Sequence, residues 1–198
     1  MKKGRFEFLV GVMLAVAVGV VCLQFLQPNA PPIRWVIRIA ALLGYFCIFG
    51  AIVTSAYLRQ MVKLFGRPFL KVHHTLSIAG LALVTIHPLA VAWQALSLGV
   101  FVPAVNSWYS FFSLGGRPAW YLLGVGALVA VLRGTIGKNW RLLHGLNYLA
   151  FWLATVHGIM IGTNVQNWVM RVVFGAMALG VLGVLVKKRL DLRRRRRS

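Results

Sequence analysis

The stretch Lys71-Val72-His73-His74-Thr75-Leu76-Ser77-Ile78-Ala79-Gly80-Leu81-Ala82-Leu83-Val84-Thr85-Ile86-His87-Pro88 decides how this chain is to be read. After Lys71 it carries no Asp, Glu, Lys or Arg, and the apolar run continues to Leu96. A segment of that length and character crosses the hydrocarbon core of a bilayer as a helix. Yet it holds histidine at two depths. At ~1.5 Å of rise per residue, the interval from His73 to His87 climbs roughly 20 Å. Imidazole inside a membrane is costly and by default marks a functional site.

A second apolar stretch, His144 to Gly162, repeats the pattern with His144 and His157, so all 5 histidines of the chain fall in two segments. The 198 residues are 60% hydrophobic and include only 2 acidic residues, Glu7 and Asp191. A soluble domain cannot hide so much apolar surface. The composition therefore predicts an all-α integral membrane protein, a single domain over residues 1–198. Six apolar segments follow one another: Phe8–Leu26, Ile39–Leu58, His73–Leu96, Ala119–Ile136, His144–Gly162 and Asn167–Val186. They predict a six-transmembrane-helix bundle. Arg133 interrupts the fourth, but near a helix end its side chain can snorkel to the headgroups.

Basic residues choose the orientation. They collect at the N-terminus (Lys2, Lys3, Arg5), after the second segment (Arg59, Lys63, Arg67, Lys71) and after the fourth (Arg133, Lys138, Arg141). The tail 187–198 adds Lys187, Lys188, Arg189 and Arg193 to Arg197, leaving only Arg34, Arg38, Arg117 and Arg171 for the other side. By the positive-inside rule both termini are cytoplasmic, in a multi-pass protein of the cell (inner) membrane. Topology thus accounts for the net charge of +20, and no nucleic-acid partner is implied. The arginine tail reads as an anchor for anionic membrane lipids.

The first segment is read as an uncleaved helix, because it is long for a signal peptide and Pro31-Pro32 follow the one plausible cleavage point, Ala30. Cys22 and Cys47 lie within apolar segments without CxxC spacing and read as buried thiols. Gly124 and Gly126 form a GxG with no strand before it, which suits close helix packing and not a nucleotide site. Trp35, Trp108, Trp120, Trp140 and Trp168 sit near segment ends, as interfacial residues do.

With this topology the third and fifth segments both run outward. His73, His74 and His144 open them at the cytoplasmic level, and His87 and His157 lie at the outer level. A 14-residue interval returns to within about 40° of the same helix face, so His73 is a better mate of His87 than His74 is. Thirteen residues miss by roughly 140°, so the fifth helix needs a bend, a bulge or different approach angles. Pro88 is a candidate bend in the third. Taken singly, His74 and His144 read as solvated interfacial residues, and His87 and His157 as a proton relay or an interhelical hydrogen bond. Zinc lacks the Cys or carboxylate ligands to complete a site. Taken together, two helices with imidazole at two levels can clamp two flat macrocycles, which points to haem.

The run Gly137-Lys138-Asn139-Trp140-Arg141-Leu142-Leu143-His144-Gly145-Leu146-Asn147-Tyr148, followed by His157, resembles the fifth-helix signature of the ferric reductase-like transmembrane family. Lys71-Val72-His73-His74 followed by His87 resembles its third helix. The resemblance covers about residues 40–186. The family includes ferric reductases, the membrane half of NADPH oxidases and the bacterial MsrQ haem-binding subunits, which this chain matches in size. It implies two b-type haems held by His73 (or His74), His87, His144 and His157. It implies an electron-transfer subunit without its own nucleotide-binding domain. Its donor would be a cytoplasmic flavoprotein reductase or membrane quinol, and its acceptor an extracytoplasmic oxidoreductase. Arg38, Arg67, Lys71 and Arg141 are candidate partners for haem propionates. Nothing in the sequence points to FMN or a bound quinone. Two other readings stay open: a self-standing ferric-chelate or oxygen reductase, and a haem-free transporter-like bundle.

Overall fold

A computed structural model describes residues 31–65 and 69–197 of the chain. The first apolar segment, Phe8–Leu26, with Cys22, lies outside the described residues, as does Arg67. All the regular structure described is helical. Three described helices are long and apolar enough to cross a membrane, over Pro32–Tyr57, Lys71–Ala95 and Trp168–Leu190. A fourth span is available if Gly116–Val131 and Arg133–Ile161, which are bent by 80° at the break between them, count as one. The described residues are all-α, as expected, and hold three, or up to four, of the six expected spans.

The chain divides into two units. The first contains α1 (Pro32–Phe65), most of α2 (Phe69–Ala95) and the C-terminal part of the last helix. Pro32 opens α1, where its fixed φ suits the helix and its missing N–H breaks no bond. Two glycines let α1 and α2 approach closely. A Cβ on Gly44 would lie 2.8 Å from Val84 Cγ1, and one on Gly80 would lie 2.8 Å from Ile48 Cδ1. Small residues at such crossings let backbones come together where lipid offers no hydrophobic drive. The helix runs unbroken through Pro88 to Ala95. Away from the contact, Ile78 is 71% exposed, an apolar side chain that suits lipid.

The second unit, Val91–Val181, opens with the end of α2 and then a loop that carries no charged residue up to Arg117. It contains a 3-10 turn, Leu98–Phe101, and the short helix α3 (Trp108–Ser113). Ser97 and Ser107 start these by accepting from the N–H groups of Gly99 and Ser110. The loop is pinned to α4 (Gly116–Val131) where Arg117 Nη1 donates to the Val102 carbonyl at 2.6 Å and Tyr121 Oη to that of Phe101 at 3.0 Å. Beyond α4 come α5 (Arg133–Ile136), a 3-10 turn over Gly137–Asn139, α6 (Trp140–His144), α7 (Leu146–Ile161) and the start of α8 (Trp168–Arg197). Gly137, at φ 66° and ψ −143°, takes a positive-φ conformation that glycine adopts without a Cβ clash.

Two predicted segments are shorter and more broken than their hydropathy suggested. Ala119–Ile136 is α4 followed by a break at Leu132, directly before Arg133. His144–Gly162 is interrupted at Gly145, which ends α6 and precedes α7. Hydropathy registers apolar content and is blind to where one helix ends and the next begins. Gly145 itself keeps right-handed helical dihedrals, φ −63° and ψ −17°.

Candidate functional site

Four histidines share one local arrangement. In the first unit His73 Nδ1 lies 2.9 Å from the Ala51 carbonyl, and His87 Nδ1 lies 3.0 Å from that of Ile37. In the second, His144 Nδ1 lies 2.9 Å from the Gly126 carbonyl and His157 Nδ1 lies 2.6 Å from that of Ser113. A carbonyl can only accept, so each Nδ1 carries the proton and donates. In a neutral imidazole that leaves the Nε2 lone pair as the metal-binding position. This is also the support that metal-ligating histidines use, a second hydrogen bond that holds tautomer and ring orientation.

The registers explain how four such bonds arise. Ala51 and Ile37 lie as far apart in α1 as His73 and His87 do in α2. Gly126 and Ser113 are likewise separated by the same interval as His144 and His157. Each histidine-bearing element therefore runs antiparallel to a partner whose carbonyls recur in step with it. Ala51, Ile37 and Gly126 lie within helices, where a carbonyl has a second lone pair to offer. Ser113 is the last residue of α3, and its carbonyl is among those a helix end leaves unpaired.

His74 does not join this set. It is exposed, with its ring centroid 5.9 Å from that of His73. Successive helix positions diverge by about 100°, so only one of the doublet can face α1. The phase preference for His73 and the backbone bond agree.

Several neighbours were not legible as site residues. Thr54, buried and donating to the Ala51 carbonyl at 3.0 Å, places Oγ1 3.4 Å from His73 Nδ1. Asn147 places Nδ2 3.3 Å from His144 Nδ1. Gly126 lies directly against the Asn147 amide, the close helix approach expected of the GxG, whereas a Cβ on Gly124 would meet nothing. Gly116 lies against His157, where a Cβ would sit 3.0 Å from both Nε2 and Cδ2. Replacing Gly116 with alanine is expected to displace that ring, an overpacking that costs about 1–3 kcal/mol. Selective loss of the His157-dependent fraction of any bound cofactor checks it.

Of the candidate cations, Arg38 follows Ile37, the acceptor for His87, and is half-buried. Arg141 lies over the Trp140 ring at 5.2 Å, and Trp140 packs 5.8 Å from the His144 ring. Lys71 is exposed at the start of α2. Arg117 is held by the Val102 carbonyl. Cys47 is a free, half-buried thiol. Among the described residues no three or more His, Cys, Asp or Glu gather at one point, as a zinc site needs. Bis-imidazole haem ligation needs only two side chains per iron. Comparison with protein-family models, with curated proteins and with solved structures returns no match for this chain.

Proposed function

We propose that this chain is a b-type haem protein of the cell membrane that carries electrons from a cytoplasmic donor to an extracytoplasmic acceptor. The observation that carries this reading is the common state of four histidines, each with Nδ1 donating to a backbone carbonyl, the tautomer in which Nε2 carries the lone pair. The donor chemistry fits haem iron, which neutral imidazole ligates well. His73 and His144 are assigned to an inner level and His87 and His157 to an outer one, following their positions in a six-span topology with both termini cytoplasmic. Held by two imidazoles at each level, haem would supply one-electron transfer and no site for substrate.

The protein's own residues do the rest. The carbonyls of Ala51, Ile37, Gly126 and Ser113 orient the ligands. Arg38 at the outer level, and Lys71 and Arg141 at the inner one, supply cations for propionates and for an acidic electron donor such as a flavoprotein. A membrane quinol is the alternative donor, and an extracytoplasmic oxidoreductase the acceptor.

The test is the absorption spectrum of the purified protein with its haem-to-protein ratio. A Soret band with about two haems per chain is expected, the number two bis-imidazole sites can hold. Absence of any Soret band after haem supplementation during expression overturns the reading and favours a haem-free transporter-like bundle.

A further inference from the structure

We propose that Asn147 is a positioning residue for His144 that lowers the potential of the inner-level haem; this rests on the haem reading above. Asn147 follows His144 by about one helical turn, so its amide returns to the face that carries the imidazole. Its Nδ2 lies 3.3 Å from His144 Nδ1. Its Oδ1 is buried with no hydrogen-bond partner. Gly126, whose carbonyl accepts from the same Nδ1, leaves the room the amide occupies: a Cβ there would overlap Asn147 Oδ1. No other residue at 126 would let the amide in without a shift.

The chemistry of the contact decides which way the amide faces. A ligating His144 must keep its proton on Nδ1, because Nε2 gives its lone pair to the metal. An amide nitrogen facing that N–H sets two donors against each other. The amide's oxygen and nitrogen are equivalent in shape, and their assignment follows from the hydrogen bonds they make. Rotated by half a turn, Asn147 places Oδ1 against the Nδ1–H and the donor–donor contact becomes a hydrogen bond. His144 then shares its proton between two acceptors, Gly126 and Asn147. His73 has the same arrangement in kind, with the Ala51 carbonyl as first acceptor and Thr54 Oγ1 as the second at 3.4 Å. A second acceptor on Nδ1–H makes the imidazole a more basic ligand, which favours the ferric state and lowers the potential.

The experiment is a spectroscopic redox titration of haem-loaded wild type, Asn147→Leu and Asn147→Asp. The component missing from His144→Ala identifies the inner haem. Leucine removes the acceptor, and the inner midpoint is expected to rise by about 59 mV, a tenfold change in a one-electron equilibrium. Aspartate keeps an acceptor oxygen and strengthens it, so its midpoint is expected below wild type. The outer component stays in place in both. An unmoved inner midpoint in Asn147→Leu overturns the inference. So does an unmoved or raised midpoint in Asn147→Asp, which decides the matter even if the leucine variant does not fold. Wild type without haem would instead sink the haem reading itself, so the two failures are separable.

Discussion

His157→Ala is expected to lose the outer haem and keep the inner one, halving the haem-to-protein ratio. His157 holds its proton on Nδ1 through the shortest of the four carbonyl bonds, 2.6 Å to Ser113, and that acceptor is a helix-end carbonyl. Alanine removes a ligand that nothing nearby replaces, since the remaining histidine of the second unit, His144, lies beyond the break at Gly145. Haem held by one imidazole instead of two would be retained less well. The inner level depends on different carbonyls, Ala51 and Gly126, and should stand. The measurement is haem content with the low-spin spectrum of what remains. Unchanged stoichiometry would sink the two-level assignment, and complete loss of haem would show that the levels are not independent.

The second large effect separates the two members of the histidine doublet. His73→Ala is expected to lose the inner haem, whereas His74→Ala keeps both. Only His73 reaches an α1 carbonyl, and the buried Thr54 hydroxyl stands beside it. His74 is exposed on α2. Haem content measured for both variants under the same expression conditions checks this. Loss of the inner haem in His74→Ala with retention in His73→Ala would reverse the assignment and falsify the phase argument.

Much of this was legible along the chain. The uncharged stretch after Lys71 marks a spanning helix, and α2 covers it from Phe69 to Ala95. The 14-residue interval chose His73 over His74 because helical phase is a property of one helix by itself. The 13-residue interval left a bend, a bulge or different approach angles open, and α6 gives way to α7 at Gly145. The lengths of the fourth and fifth elements were not legible. Their apolar content continues through Leu132 and Gly145, where one helix ends and the next begins.

The amino-acid sequence by itself determined the membrane class and the spacing of the histidines along their segments, since hydropathy and rise per residue act locally. Only the tertiary structure decided which imidazole nitrogen bonds to the backbone. That choice depends on carbonyls 18 to 50 residues away in sequence, such as Gly126 for His144 and Ile37 for His87. No side-chain pattern records where a backbone oxygen will face. It also took packing to bring the Asn147 amide, the Gly116 backbone and Thr54 against these rings. A glycine at 116 or 126 shows its purpose only when the neighbour that fills the space of its missing Cβ is in place.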